Sequence, residues 1–582
     1  MASLALLARG AALSTLELRR REPQGEPSGW DATVHPVLQR IYAARGVLQP
    51  EGVEHRLQRL LSPQSLGGLD AATDLLAAAI RDDQAILIAG DYDCDGATGT
   101  AVAVRGLRLL GARRVDYAIP NRFVHGYGLS AAFVASMQPA PQLIVTVDNG
   151  VASVAGVAAA KARGIKVIVT DHHLPGEQLP ACDAMVNPNL AGDPFPSKML
   201  AGVGVMFYLL LALRAKLHEQ GAFDAAKPDL SPLLDLVALG TVADLVPLDF
   251  NNRVLVEAGL QRMRSGRACA GIAALVEAAR RSVATLCASD LGFSIGPRLN
   301  AAGRLEDMRL GVECLLADDA VQARHLAGQL DAINRERRDL QASMVAEAEA
   351  MVAGLGHVDA VGVALYEPSW HAGVVGLVAS KLKERLHRPV IAFAPASEDD
   401  AGHLRGSARS IPGFHIRDAL AAIDVRQPGL IERFGGHAMA AGLSLKAGDY
   451  PRFAAAFDAI ARELIEPERL QAVLYTDGEL PPGAATLVLA RQLREAGPWG
   501  QAFPEPLFDN LFECAGWKVM GERHLRLQLR DPRDGALHDA VMFNAYHGQP
   551  PPSRFCAAYE LTINDWQGRE TPRLLLRHIE PA

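Results

Sequence analysis

Three short apolar runs, AILIAG from Ala85, LIVTVD from Leu143 and KVIVTD from Lys166, each break off at an acidic residue or just before an acidic cluster. Alanine-rich stretches, AVAVRGLRLLG and VAGVAAAKARG among them, lie between and around these runs. Strand-like runs alternating with helical ones predict a parallel sheet with crossover helices. Ligands of such sheets bind beyond the carboxyl ends of the strands, so the acidic ends are expected to converge on one crevice.

The chain has 582 residues, too many for one core, and three or four domains are expected. Hydrophobic residues at 49% and charged residues at 21% describe an ordinary soluble protein without long disorder. A net charge of -8 argues against nonspecific coating of nucleic acid but leaves room for a local basic groove. Seven cysteines with no CxxC pair fit neither a disulfide framework nor a structural zinc site, which predicts a reducing compartment. The apolar run near the start has no basic residue before it and is broken at Arg9, unlike a secretory signal. No apolar run reaches the roughly 20 residues that span a bilayer. A cytoplasmic protein without a membrane anchor is expected.

Residues 198–264 read as helical, broken around Pro228, Pro232 and Pro247. From Asp318 to about Gly354 a proline-free stretch carries Leu326, Leu330, Ile333, Leu340 and Met344 at the spacing of a helix buried on one side. At about 1.5 Å per residue it would run roughly 50 Å, enough to bridge two domains. Its charged run from Asn334 to Arg338 reads as a solvated face. A second α/β unit follows, with strands VGVALYE and PVIAFAP around helix GVVGLVASKLKERL, then LRGSARS and the glycine-rich FGGHAMAAG. After about Pro467 the texture becomes β-rich (LRLQLR, AVMFNAY, AAYELTIND), which predicts a small barrel. No internal repeat is visible.

The densest chemistry is GDYDCDG, with Asp91, Asp93 and Asp95 two apart directly after the first run. Three carboxylates so close repel one another unless cations neutralise them, which implies a hard divalent ion. The second run adds Asp148 and the third adds Asp171, His172 and His173 at the same edge; the helical LVALGTVADLVP contributes Asp244. Imidazole beside carboxylate favours manganese, zinc or iron over calcium, and the oxygen majority keeps magnesium open. Two ions about 3.5 to 4 Å apart suit hydrolysis of a phosphate ester. There is no GxxxxGK[ST] loop and no GxGxxG after the first strand, so neither NTP-driven motion nor a nicotinamide cofactor is indicated.

In order along the chain, GDYDCDG, PNRFVHGYGL, VDNG, TDHH and ALGTVADLVP resemble the successive motifs of the DHH phosphoesterase superfamily. The later GPRLNAAGRL, HAGVVGLVASKL, GSARS and FGGHAMAAG are similar to those of the bacterial RecJ nucleases, and the ordered set covers almost the whole chain from about Leu16. The resemblance implies an α/β multidomain architecture: an N-terminal extension over 1–60, a parallel-sheet DHH catalytic domain over 61–317, and a long linking helix over 318–356. An α/β DHHA1 domain over 357–466 and an OB-like β-barrel over 467–582 complete it. It implies that Asp91, Asp93, Asp95, Asp148, His172 and Asp244 hold two manganese or magnesium ions, with Asp148 as bridge and catalytic residue and His173 beside the scissile phosphate. Arg122, Arg298, Asn300, Arg304, Ser407 and Arg409 are similar to phosphate-binding positions, and His437 is expected at the DNA backbone. Arginine forks and glycine-flanked backbone amides suit that task.

The implied activity is a 5′ to 3′ exonuclease specific for single-stranded DNA, releasing 5′-mononucleotides in recombination and repair. Family members of this kind set a second domain across a groove that admits one strand, and their OB fold grips it by aromatic stacking. Phe512, Trp517, Phe543, Tyr546 and Trp566 are available for stacking, and each reads equally well as core. Within the superfamily, an enzyme of short oligonucleotides or cyclic dinucleotides would have no use for the barrel and linking helix. An inactive DNA-binding relative would lack metal carboxylates that are all present here, and a pyrophosphatase would carry histidine where Ala89 stands. The resemblance suggests single-strand-binding protein and a helicase as partners, with the chain a monomer. One departure is Ala502 in GPWGQAFPEPLF, where the family pattern has glycine.

Overall fold

The computed structural model describes residues 16–582 apart from 122–124, 127, 224–225, 355–359, 398–399 and the side chain of residue 401. Arg122 and the apolar run near the start of the chain therefore lie outside the described residues. The chain forms two units, residues 20–334 with 476–582, and residues 1–19 with 335–475. Strand β1 (Glu17–Arg20) pairs with β12 (Val473–Thr476) where the two ends of the smaller unit meet.

The larger unit is built on a parallel sheet of β2 (Ile86–Ala89), β3 (Val115–Ala118), β4 (Leu143–Val147), β5 (Lys166–Thr170) and β6 (Ala184–Val186), in the order β3-β2-β4-β5-β6. The three apolar runs are its three inner strands, and β4 is buried at every position. Strand order reverses between β2 and β4, whose ends Ala89 and Thr146 are paired neighbours. That reversal is the topological switch point where ligands of such sheets bind. The helical region expected over 198–264 resolves into helices Gly202–Glu219, Leu234–Ala243 and Phe250–Arg264. The prolines fall between or at the starts of these helices, as a residue without a backbone N–H requires.

The same unit contains the carboxyl-terminal barrel, closed in the order β13 (Phe508–Met520), β14 (His524–Arg530), β15 (Leu537–Met542), β17 (Arg569–Pro581), β16 (Arg554–Trp566). The β15–β17 contact is parallel and the others are antiparallel. From Arg20 on, the segment read as an N-terminal extension belongs to this unit, and Val37, Leu38, Ile41 and Tyr42 lie in its core. Trp30 stacks on Tyr42 at 5.3 Å, Tyr42 on Trp499 at 6.0 Å, and Trp499 on Phe503 at 5.1 Å. Arg45, buried beside them, pairs with buried Asp477 at 2.7 Å.

Helix Ala320–Gly354 is continuous for 35 residues across the division at residues 334 and 335. The smaller unit then forms a mixed sheet, β10-β11-β9-β8-β7, from β7 (Val363–Tyr366), β8 (Val390–Ser397), β9 (Asp400–Arg409), β10 (Arg433–Gly436) and β11 (Ala440–Lys446). Helix Val375–Leu386 joins the parallel pair β7 and β8, and Phe393, Phe453 and Phe457 fill the core. Among the described residues no helix is long and apolar enough to cross a membrane.

Candidate metal centre

Asp91 follows β2 in a loop that turns at once into helix Cys94–Leu109, and Asp93 is that helix's N-cap, accepting from the Gly96 N–H at 3.0 Å. Gly96 is required here: a Cβ would lie 2.6 Å from both N and O of Asp91. Asp95, in the first turn, is 1% exposed and accepts the N–H groups of Gly202 at 2.6 Å and Val203 at 2.8 Å, the start of helix Gly202–Glu219. Asp148 leaves β4 with φ +62, a left-handed conformation that aspartate tolerates better than most residues but that still stores strain. Asp244 closes helix Leu234–Ala243.

These groups meet at the carboxyl edge of the sheet. His172 Nε2 lies 3.1 Å from Asp148 Oδ1, 3.5 Å from Asp244 Oδ2 and 3.8 Å from Asp95 Oδ2. Ligand atoms of three overlapping triads, Asp91/Asp93/Asp148, Asp95/His172/Asp244 and Asp148/His172/His173, lie within 4.8 Å of one another. Asp148 is the one carboxylate shared by two triads. The six residues expected as metal ligands are thus brought together, with Asp148 central, and five carboxylates with one imidazole form a donor set that manganese or magnesium accepts.

Electrostatics point the same way. Burial and the charge of Asp93 raise Asp95 to about 7. Asp148 and Asp244 are pushed well above the carboxylate range by burial and by the neighbouring aspartates. Packed this closely, the carboxylates need either protons or divalent cations, and cations neutralise them without removing ligand atoms.

His173 is organised differently. Its Nδ1 is 2.7 Å from Asp171 Oδ1, an oxygen that also accepts the backbone N–H groups of His172 at 2.8 Å and His173 at 3.0 Å. Burial opposes the charged imidazolium, but the hydrogen bond and charge of Asp171 outweigh it and bring His173 up to about 9. Burial likewise opposes the Asp171 carboxylate, and the bonds from His173 and Val151 hold it below its usual value. Asn187 and Asn189 fix the backbone here by donating to the carbonyls of His173 at 2.9 Å and His172 at 2.5 Å. The expected site residues omit Asp171 and both asparagines, although Asp171 stands inside the TDHH string itself.

Helix Gly296–Leu305 rests on the acidic loop, since a Cβ at Gly303 would collide with the Tyr92 carbonyl. Asn300 on this helix accepts the Cys94 N–H at 2.8 Å, and Arg304 is half-buried. Arg298 is 6% exposed, paired with Asp331 at 2.8 Å and donating to the carbonyls of Ser294 and Ala278.

In the smaller unit, Ser407 and Arg409 sit on the central strand β9, flanked by β8 and β11. Arg409 donates to Ser380 Oγ at 3.2 Å and to the Ala408 carbonyl at 2.8 Å, and it forms no ion pair with the described residues. Burial pulls its pKa below the usual arginine value. A half-buried guanidinium with no carboxylate partner among the described residues can take an anion as its counter-charge. His437 is exposed in the turn between β10 and β11, where its N–H donates to the Ala440 carbonyl at 2.8 Å.

The chain matches the family models "DHH family, N-terminal domain" over residues 85–241, "DHHA1 domain" over 356–463 and "RecJ OB domain" over 476–578. It is similar to the single-stranded-DNA-specific exonuclease RecJ of Dickeya dadantii, 51% identical over 572 residues covering 97% of this chain and 99% of that one. The protein of the same name from Escherichia coli is 48% identical over 576 residues, with coverage of 97% and 99%. Among solved structures, RecJ from Thermus thermophilus in complex with Mn2+ superposes with a TM-score of 0.81 at 31% identity, covering 97% of this chain and 79% of that one. The expected order of DHH domain, DHHA1 domain and OB barrel is the order found.

Proposed function

The chain belongs to the RecJ family of single-stranded-DNA-specific exonucleases, and we propose that it hydrolyses single-stranded DNA from the 5′ end, releasing 5′-mononucleotides. The observation that supports this reading is the clustering of ligand atoms at the switch point of the sheet, with Asp91, Asp93 and Asp148 in one group and Asp95, His172 and Asp244 in another. Two manganese or magnesium ions held by these residues would supply Lewis acidity to a water and to the scissile phosphate. Asp148, the carboxylate common to two of the ligand groups, would serve both ions. His173, oriented through Nδ1 by Asp171, presents its Nε2 to the scissile phosphate. Asp171 is a positioning residue.

Arg409 and Ser407 bind the terminal phosphate and so set polarity, a role supported by the absence of any other counter-charge for Arg409 among the described residues. Asn300 braces the acidic loop while Arg304 and His437 contact the strand. The barrel offers Trp517, Phe543 and Trp566, 42%, 56% and 70% exposed, as stacking surfaces, whereas Phe512 is core at 2%. The helix over residues 320–354 divides catalytic from DHHA1 domain. The enzyme acts as a cytoplasmic monomer in recombination and repair, working with single-strand-binding protein and a helicase on strands that they present.

The test is digestion, with manganese, of a strand labelled separately at each end, in single-stranded and blunt duplex form, with Asp148→Ala as control. Mononucleotides should leave first from the 5′ end of single strands alone and disappear in the variant; release from the 3′ end, or equal cutting of duplex, overturns the reading.

A further inference from the structure

The larger unit carries a second polar cavity, of about 350 Å³, to which Arg56, Arg262, Arg267, Gln58, Gln261 and Ser231 contribute. No described residue in its wall bears a carboxylate. The arginines come from three separate places: the segment before the short helix Leu57–Arg59, helix Phe250–Arg264, and the loop that follows it. Like charges are gathered here, and none of the three arginines makes an ion-pair contact with a described carboxylate. The Arg262 Nε is buried and makes no hydrogen bond to the described residues, and neither Arg56 nor Arg262 forms an ion pair with them. Arg267 is steadied by Ser265 Oγ at 2.9 Å.

The nearest carboxylates, Asp229 and Asp235, act on Arg262 through their charge but bond to other groups. Asp229 accepts the N–H and Oγ–H of Ser231 at 2.9 and 2.7 Å, and buried Asp235 accepts the N–H groups of Cys269 and Leu236 at 2.7 and 2.8 Å. His55, also in the wall, is neutral: its Nε2 accepts from Arg253 at 3.2 Å, and burial with that arginine's charge holds its pKa down to about 4.

We propose that this cavity binds the phosphate monoester of a small nucleotide. Guanidinium forks match phosphate oxygens in pairs, and three of them suit a dianionic monoester better than the single charge of a diester. The Gln58 amide, with the lone pairs of Ser231 Oγ and the Gln261 amide oxygen, can serve sugar and base, the Ser231 and Gln261 donors being directed to Asp229 and Glu257. The volume lies at the lower end of small-molecule pockets, which run from about 300 to 1,000 Å³, and exceeds what inorganic phosphate alone needs. The site is separate from the metal centre: helix Leu234–Ala243 begins in its wall and ends beside Asp244, about 15 Å away along the axis. Its residues take no part in the hydrolytic reading, and it stands or falls independently of that reading.

The test is calorimetric titration of the manganese-loaded enzyme with thymidine 5′-monophosphate, thymidine and inorganic phosphate, in the native chain, in Arg56→Gln and in Arg56→Gln/Arg262→Gln. The native chain should bind two equivalents of the monophosphate and no thymidine, with phosphate competing. In the double variant one class of site weakens by about tenfold or more while the initial rate on labelled single strands is unchanged. Arg56→Gln, an exposed change that breaks no ion pair, should show the same loss in smaller degree should the double variant fold poorly. A single equivalent in the native chain, or two undiminished equivalents in both variants, overturns the proposal. Loss of strand affinity with nucleotide binding intact also overturns it and assigns the arginines to the DNA backbone.

Discussion

At Gly202 two halves of the metal centre touch. A Cβ there would stand 2.5 Å from the Cβ of Asp148 and 2.8 Å from its Cα, while the Gly202 N–H holds Asp95. Gly202→Ala should therefore displace Asp148 in a chain that still folds, and displacements near 1 Å cost about a hundredfold in rate. Steady-state hydrolysis against manganese concentration checks this, with both a lower maximum and a weaker apparent manganese affinity expected. Asp171→Asn should cost about 10- to 100-fold in rate, as loss of a supporting hydrogen bond does at metal sites, while bound manganese measured by atomic emission stays at the native level. The metal carboxylates were legible in the sequence because acids crowded after apolar strands have few structural uses. Asp171 was legible as an acid at that edge but not as the partner of His173, and Asn187 and Asn189 were not legible at all, because these parts depend on bond directions that spacing does not encode. Ala502 shows the reverse case: its φ of +59 is a left-handed conformation that glycine, the residue expected there from the family resemblance, adopts without penalty. Ala502→Gly should relieve left-handed strain of about 1 kcal/mol, offset in part by chain entropy, and raise the melting temperature slightly.

Among elements, those with a strong period or an uninterrupted apolar run could be read ahead of the structure. β4 is buried at all five positions, and helix Ala320–Gly354 keeps Leu326, Leu330 and Met344 buried, though Ile333 and Leu340 are only half-buried. Asn334, read as the start of a solvated face, is buried because it shares their side of the helix. Strands β3 (VDYA) and β6 (AMV) were missed because they are short edge strands with few β-branched residues, formed through pairing with their inner neighbours. One contact decides between two readings of an element. Arg298 on helix Gly296–Leu305 pairs with Asp331 on the long helix, both largely out of water. Removing one partner strands a buried charge, so Asp331→Ala should destabilise by about 3 to 5 kcal/mol, whereas Arg298→Met with Asp331→Leu should restore most of the melting temperature. If that double variant is stable and binds single strands normally, Arg298 is a structural brace; weakened binding by a stable double variant assigns it to phosphate.

In the whole molecule, the least legible feature is the joining of the chain's two ends into one core, where Arg45 meets Asp477 and Tyr42 meets Trp499. Partners more than 400 residues apart share no local pattern, so nothing in either segment announces the other. The consequence is that barrel and catalytic sheet belong to one unit, and strand retention can be separated from hydrolysis only by surface changes. Trp517 packs beside Tyr546 at 6.1 Å and His524 beside Phe543 at 5.2 Å, leaving Trp517 and Phe543 exposed. Base stacking on such rings contributes about 1 to 3 kcal/mol per base. Trp517→Ala with Phe543→Ala should therefore weaken binding of a long single strand, measured by fluorescence anisotropy in EDTA, and shorten the run of nucleotides removed per encounter. The rate on short oligonucleotides at saturation should be unaffected. Because neither change removes a cation, the slope of affinity against salt should also be preserved, which distinguishes lost stacking from lost phosphate contacts. Phe512→Ala, by contrast, opens the barrel core and should lower stability by about 3 to 5 kcal/mol. Undiminished strand affinity in the doubly substituted barrel would mean that these aromatics are not the strand's platform.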